Sequence, residues 1–420
     1  MTLPHDTRRL LAGPALDGNP ERYAAHIARL GVLPVDAARQ DLIGNLEATG
    51  LLGRGGAGFP VGRKWRALAD RTAGKTSAVV VANGAEGEPA SHKDRVLMAH
   101  RPHLVIDGAV LAAEAIGADE IVFYVGREHE AAMAAMKAAV ADRKAELGKR
   151  ARIVAAPLGY VAGEATAVVN YINSGKGKPM SVPPRVSERG VGKKPTLVQN
   201  VESLAYAALI ARYGDAWYRS AGRLVSKGTA LVTVSGAVQD AGVWEIELGT
   251  PFGEVAEEAG AREARTRAVL LGGYFGTWTT AQDAWTLPLD PAVMKASGLA
   301  FGCGLLWLLP TASCGVWATA QIMEYLADAS AAQCGPCLFG LRAMADANTR
   351  LAAGKSAHGD MQLIERLIPQ TAGRGACHHP DGAIQLMASA LNVFGDDYAY
   401  HARTGRCSVA SAPAAPAGVR

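Results

Sequence analysis

Residues 53–65 read Gly-Arg-Gly-Gly-Ala-Gly-Phe-Pro-Val-Gly-Arg-Lys-Trp, a run with five glycines in its first ten positions. Glycine accepts positive φ and lets main-chain N–H groups approach a ligand closely. Such N–H groups in front of a helix form an anion-binding concavity. The run therefore predicts a phosphate-binding loop that is closed by Lys64.

An α/β fold with a parallel sheet is predicted around this loop. Predicted strands alternate with predicted helices, and this order is typical of a parallel sheet covered on both faces. The strands are at 77–82, 120–125 and 152–155, and the helices are at 103–117, 128–147, 163–174 and 196–213. Ligands of such sheets bind beyond the strand carboxyl ends, where the polar turn Asn83-Gly-Ala-Glu86-Gly-Glu88-Pro follows its strand.

The remaining chain divides by composition and periodicity. We expect an N-terminal helical segment, the α/β domain, a small α+β module, a helical bundle and a disordered tail. Their boundaries are 1–45, 46–222, 223–298, 299–405 and 406–420 respectively.

Bulk composition excludes several classes of protein. A net charge of +4 over 420 residues and 6% aromatic residues do not indicate a nucleic-acid surface. The longest apolar run, at 299–309, ends at Pro310 and is shorter than the about 20 residues of a membrane span. The N-terminus lacks the apolar segment of a signal peptide, so a soluble, cytoplasmic protein is expected.

The six cysteines indicate a metal or redox centre rather than a disulfide framework. Cys334-Gly-Pro-Cys337 and Cys377 lie in the predicted bundle, and soft thiolates favour an iron–sulfur cluster. A redox C-x-x-C and a zinc site are the alternatives. A cubane cluster normally takes four protein ligands, and Cys407 is the first candidate for the fourth, with His379 second.

Two further cysteines are expected to be structural. Cys314 opens the helix that leads to Cys334, about 24 Å away at 1.5 Å per residue. Cys303 is predicted to be a small core residue.

Taken together, seven segments resemble the flavin-bearing, NADH-oxidising subunit of respiratory complex I and its relatives in NAD-linked hydrogenases and formate dehydrogenases. Besides the glycine run and the Asn83 turn with Lys93-Asp-Arg, they are Gly159-Tyr-Val-Ala-Gly-Glu-Ala-Thr-Ala, Lys194-Pro-Thr-Leu-Val-Gln-Asn-Val-Glu-Ser, Val234-Ser-Gly-Ala-Val, the C-x-x-C and Gly373-Arg-Gly-Ala-Cys. The resemblance implies an FMN-binding α/β domain, a ubiquitin-like β-grasp module and a helical domain holding a 4Fe–4S cluster. NADH would pass a hydride to the flavin, and the cluster would then remove electrons singly.

The resemblance also implies roles for individual residues. Gly55, Gly56, Gly58 and Lys64 would hold FMN, while Asn83, Glu86, Tyr160, Gly163 and Glu164 would line the flavin ring and Asn200 the ribityl end. Glu88 and Phe59 would face the nicotinamide, and Glu88 and Glu164 are the candidate catalytic residues. Cys334, Cys337, Cys377 and Cys407 are the candidate metal ligands.

Several family positions are changed here. Ala67 replaces an aromatic residue, Ala85 an aspartate, Ala165 a glutamate, and Val182 and Arg185 a lysine and a phenylalanine; Ala331 stands where the first cluster cysteine is expected. Most of these positions serve the nicotinamide side.

These changes leave three functions open. They are an NADH-oxidising FMN and iron–sulfur enzyme, an electron-transfer flavoprotein that no longer uses NADH, and a non-catalytic assembly or ligand-binding module. A ferredoxin-like or two-iron carrier subunit is the expected partner, within a redox complex that could be membrane-bound.

Overall fold

The computed structural model describes residues 8–16, 19–73, 77–407 and 409. Helices α1–α9 in the first half of the chain are Tyr23–Leu30, Val35–Thr49, Val61–Thr72, Lys93–His100, Pro102–Ile116, Glu130–Asp142, Lys144–Leu147, Ala165–Ser174 and Val201–Arg219. Helices α10–α17 are Phe252–Glu258, Ala281–Trp285, Pro291–Ala296, Gly315–Asp328, Arg342–Ala352, Asp360–Thr371, His379–Val393 and Gly395–Thr404. Strands β1–β9 are Ala78–Gly84, Ala118–Gly126, Ala151–Ala156, Thr196–Asn200, Thr229–Gly236, Gly242–Glu247, Thr266–Leu271, Thr277–Thr280 and Leu305–Pro310.

The first sheet is parallel, with strand order β3–β2–β1–β4. Side chains alternate along β1, so Val80 and Ala82 pack into a core with α2, α3, α5 and α9. Val79 and Val81 pack into a second core on the other face, with residues of α8. The doubly covered parallel sheet confirms the predicted α/β fold.

The second sheet is mixed, with strand order β6–β5–β9–β7–β8. Its central strand is β9, which pairs in parallel with β5 and antiparallel with β7. The predicted boundary at residue 298 is therefore wrong, because residues 305–310 complete this sheet and the helical domain begins only at α13.

The helical domain contains α13–α17 around a core that includes Met344, Leu351 and Met387. A π-helical turn at Pro336–Leu341 carries Cys337 and leads into α14. Apart from residues 406, 407 and 409, the predicted tail lies outside the described residues. No helix among the described residues is long and apolar enough to cross a bilayer.

Two further differences concern segment limits. Residues 196–200, predicted as the start of a helix, form the buried strand β4. The predicted N-terminal segment is not separate, because α2 extends past residue 45 and packs in the core of the first sheet.

Candidate flavin and iron–sulfur site

The glycine loop lies between Leu52 and α3 and is closed by a bridge between Leu52 and Pro60. Gly56 and Gly58 have φ values of 105° and 62°, which side chains with a Cβ rarely adopt. A Cβ on Gly55 would lie 3.4 Å from Asn200. The loop thus runs close past the end of β4, at the N-terminus of a helix.

Lys64 lies in the first turns of α3 and donates to the carbonyl of Val198 in β4. Burial lowers the pKa of Lys64 to about 8, and no carboxylate in the described parts of the chain forms an ion pair with it. A buried ammonium group without a carboxylate partner fits a ligand that brings its own negative charge, such as the FMN phosphate.

Asn83 and Asn200 end adjacent parallel strands and are paired in register. The Asn83 amide donates to the carbonyl of Gly163 at 2.9 Å, which ties β1 to the 160–163 turn. The Asn200 amide donates to Asp94 at 2.7 Å, and its oxygen accepts from the N–H of Glu202 at 3.0 Å. The structure therefore places Asn83 at the carboxyl end of β1, as predicted. It brings Asn200, which was predicted to lie in a helix, to the same sheet edge at the end of β4.

Glu86 and Glu164 are both occupied as helix caps. Glu86 accepts from Ser91 Oγ at 2.8 Å and from the N–H groups of Asp94 and Arg95 at 2.9 and 3.0 Å, before α4. Glu164 accepts from the N–H groups of Thr166 and Ala167, both at 2.9 Å, before α8. These carboxylates position the two turns that carry Asn83 and Gly163.

Glu88 is buried between the two domains. It accepts from the Tyr160 hydroxyl at 3.0 Å and from the N–H of Tyr274 at 2.7 Å. Burial raises the pKa of Glu88 to about 7 despite these hydrogen bonds. Glu88 therefore has an ionisation suited to holding a proton near neutral pH.

A buried set of charges behind Asn200 was not identified from the sequence. Lys93 Nζ lies 2.6 Å from Asp94 and 3.0 Å from Glu202, and Arg54 Nε lies 3.7 Å from Glu202. The sequence motifs include these residues, but the presence of charged residues in a motif does not indicate whether their side chains are buried or exposed.

Cys334, Cys337 and Cys377 come together beside the π-helical turn. Burial raises the pKa of the Cys337 thiol to about 12, and the neighbouring Cys334 and Cys377 contribute in the same direction. Three thiols in one place fit an iron–sulfur centre. Ala331 supplies no fourth ligand, and its carbonyl accepts from Lys178 Nζ at 3.0 Å.

The structure contradicts the prediction that Cys407 completes this centre. Cys407 lies with Cys314 and His401, their ligand atoms all within 4.8 Å of one another. This group is at the start of α13, whereas the cluster cysteines follow its end, and the 14 residues of α13 span about 21 Å.

His379, the second candidate, stays a prediction. Its Nε2 lies 2.7 Å from the carbonyl of Leu326, so Nε2 carries the hydrogen. Nδ1 is left as a buried acceptor with no hydrogen-bond partner among the described residues.

Aromatic rings connect the two halves of the site. Tyr160, in the 160–163 turn, lies 4.5 Å from Phe275 and 5.7 Å from His379, measured between ring centroids. The N–H of His379 donates to Cys377. Phe275 of the second domain also lies 5.3 Å from His379 between ring centroids. Contacts thus run from the Asn83 edge through Tyr160 to His379 and the thiols, both directly and by way of Phe275.

The residues expected to face the nicotinamide differ from the rest of the site. Ala85 is 3% exposed and packs with β1 and β2, so an apolar contact replaces the expected carboxylate. Val182 is 53% exposed and Phe59 is 57% exposed. A cavity of about 490 Å³ opens nearby and is lined by residues including Glu86, Gly87, Gly159 and Tyr325, but Lys64 does not line it.

Comparison with known proteins identifies relatives along most of the chain. Residues 46–208 match the Nuo51 FMN-binding domain, and residues 317–401 match the NADH-ubiquinone oxidoreductase-F iron-sulfur binding region. An F subunit of NADH-quinone oxidoreductase from Rhizobium meliloti (strain 1021) is 29% identical over 380 residues, covering 87% of this chain and 90% of the relative. The F subunit of NADH-quinone oxidoreductase from Mycobacterium bovis is 31% identical over 381 residues, covering 87% and 86%.

Among solved structures, an NAD⁺-reducing [NiFe]-hydrogenase in the air-oxidised state superposes with a TM-score of 0.80 at 26% identity. The match covers 91% of this chain and 67% of the hydrogenase chain.

Proposed function

Because this chain belongs to the family of the F subunits of NADH-quinone oxidoreductase, we propose that it passes electrons from NADH through FMN to an iron–sulfur cluster and on to a partner carrier. The matched FMN-binding and iron–sulfur regions confirm the predicted cofactor classes. The proposal rests on the contact between Tyr160, in the 160–163 turn, and His379 beside Cys377, whose ring centroids are 5.7 Å apart. Electrons leaving the flavin site therefore have a short, protein-filled route to the thiols.

The chain's own residues have distinct tasks in this activity. Lys64 and the glycine loop would hold the FMN phosphate, while Asn83, Asn200 and the capped turns fix the walls of the site. FMN, when bound, supplies the exchange between two-electron and one-electron chemistry. Glu88 would hold or release a proton at its carboxyl group, and Cys334, Cys337 and Cys377 would hold the cluster.

The flavin assignment is tested by replacing Lys64 with methionine. Anaerobically purified Lys64→Met should contain little FMN after denaturing release, because the buried charge that pairs with the phosphate is gone. The matched control is Arg63→Gln, an exposed cation one residue away, which should keep its flavin. Stoichiometric FMN in Lys64→Met would overturn the assignment.

The donor is tested on the same protein by visible spectroscopy. NADH in large excess should bleach both the flavin bands and the broad iron–sulfur absorbance. Flavin and cluster bands that persist with NADH but disappear with dithionite would favour the electron-transfer flavoprotein instead.

We also propose that the carrier docks beside the cluster. Leu338 and Phe339, which follow Cys337, are 50% and 71% exposed, and exposed apolar side chains at an electron exit suit a protein partner. A ferredoxin-like two-iron protein is the occupant that fits, since one-electron transfer requires close approach to the thiols. Phe339→Glu should slow reduction of such a carrier but not of ferricyanide, whereas Val32→Glu, at an exposed site between α1 and α2, should slow neither. Equal carrier rates for Phe339→Glu and the parent protein would exclude this surface.

A further inference from the structure

A second group of metal-ligand atoms lies away from the flavin and the cluster thiols. Cys314 precedes α13, His401 lies in the last turn of α17, and Cys407 follows α17. Their ligand atoms all lie within 4.8 Å of one another, and Cys314 and His401 are buried while Cys407 is exposed. Three donors from two helix ends and a following segment therefore converge on one point.

The histidine is held in the tautomer that a metal requires. Nδ1 of His401 lies 2.9 Å from the carbonyl of Leu351, and a carbonyl can only accept, so Nδ1 carries the hydrogen. Nε2 therefore presents its lone pair, 3.4 Å from Cys314 Sγ. A carbonyl that orients the ring from its far nitrogen is the usual outer-shell support of a metal-bound histidine.

The spacing fits one ion with tetrahedral coordination. Zinc–sulfur and zinc–nitrogen bonds of about 2.3 and 2.05 Å place sulfur and nitrogen about 3.6 Å apart on a tetrahedral edge. The observed 3.4 Å between Cys314 Sγ and His401 Nε2 is close to this value. Because the three atoms crowd more tightly than ligands around a multi-iron cluster, the group suits a single ion.

The charges also suit a soft divalent cation. Two thiolates would neutralise its charge, and Cys314 Sγ additionally accepts from the N–H of Trp317 at 3.5 Å at the start of α13. Two sulfurs and an imidazole favour zinc over calcium or magnesium, which take oxygen ligands. The exposed side of Cys407 leaves room for water as the fourth ligand.

We propose that Cys314, His401 and Cys407 bind one zinc ion that fixes the end of α17 to the start of α13. The chain just before Cys407 is in close backbone contact with the end of α14, since a Cβ on Gly354 would lie 2.2 Å from the carbonyl of Gly405. The site does not depend on the electron-transfer activity.

Metal analysis of the full-length protein, expressed with zinc and purified without chelator, tests the proposal. The parent protein should hold about one zinc per chain. The zinc content per chain should be at least tenfold lower in Cys407→Ala and in His401→Ala, while the iron content stays unchanged. His358→Ala, which removes an exposed histidine from the loop between α14 and α15, is the control and should retain zinc.

Cobalt provides a readout that does not depend on stability. Co²⁺ added to the apo-protein should give a sulfur-to-metal charge-transfer band, and this band should be absent in Cys407→Ala. Zinc retained in Cys407→Ala, no charge-transfer band in the parent, or a Cys314–Cys407 disulfide in anaerobically prepared protein would each overturn the proposal.

Discussion

Glu88 shows how the site controls ionisation at the level of one side chain. Its folded-state pKa of about 7 exceeds the ordinary 4.5 because burial disfavours the charge. The folded protein therefore binds this proton more tightly than the unfolded chain, and the free energy of unfolding falls as pH rises from about 4.5 through 7. At pH 8 the buried Glu88 carboxylate lowers the free energy of unfolding by at most about 3 kcal/mol relative to acidic pH.

Glu88→Gln should consequently be more stable than the parent at pH 8, with the difference shrinking towards pH 4.5. Urea unfolding at both pH values measures this, with the exposed Glu47→Gln as the control. Equal pH profiles for Glu88→Gln and the parent would show that Glu88 is not the titrating group.

The changed positions that are expected to face the nicotinamide lead to a prediction about substrate affinity. Ala67 and Val182 offer neither a ring nor a cation, and a lost aromatic contact costs about 0.5–1.5 kcal/mol. NADH oxidation should therefore be weak, with a high KM. Ala67→Phe combined with Val182→Lys should lower the KM several-fold in steady-state assays, while Val32→Lys should not. Rapid flavin bleaching of the parent by micromolar NADH would contradict this expectation.

Among the elements, α5 and α9 are in close contact at Gly108. A Cβ at this position would lie 2.0 Å from the carbonyl of Leu204, so the helices would have to separate. Gly108→Ala should reduce the free energy of unfolding by about 1–3 kcal/mol or more.

Gly44 in α2 provides the matched control for this substitution. It has open space around its missing Cβ, so Gly44→Ala should stabilise by about 0.5–1 kcal/mol. In denaturant unfolding, the change in the free energy of unfolding should have opposite signs in the two variants if the contact between α5 and α9 is the cause. Changes of the same sign would exclude this cause.

Element prediction from the sequence succeeded where local patterns are strong and failed where a strand needs distant partners. The valine-rich β1 and the apolar helix α5 were predicted within a few residues. β4 was missed because its five residues run directly into α9 without a turn. β9 was recognised only as a buried apolar run, since its partners β5 and β7 lie elsewhere in the sequence.

At the scale of the whole molecule, the site is assembled from three regions. Tyr160 belongs to the first domain, Phe275 to the second and His379 to the helical domain. The motifs identified the residues on each side, but no local signal indicated Phe275, and no motif around Cys407 indicated which side chains its thiol would meet. Contacts between domains depend on tertiary packing that local sequence patterns do not contain.

Phe275 should therefore affect electron transfer from the flavin site to the cluster rather than the content of FMN or iron. A Cβ on Gly382 would lie 2.2 Å from its ring, so Phe275 packs directly on α16. Phe275→Ala should keep FMN and iron yet slow cluster reduction by NADH about tenfold in anaerobic stopped-flow experiments, and Phe275→Tyr should restore it. Unchanged cluster reduction would show that electrons take another route.

The parallel pairing of β5 with β9 has a mechanical consequence. The chain enters the second domain through β5 and leaves it through β9, and the two strands are hydrogen-bonded neighbours that run in the same direction. Tension between the flanking domains would pull these strands lengthwise in opposite directions. Their hydrogen bonds would then carry the load in shear and share it, rather than open one after another like a zipper. The connection between the flavin-site domain and the thiol-bearing helices is therefore built to resist stretching.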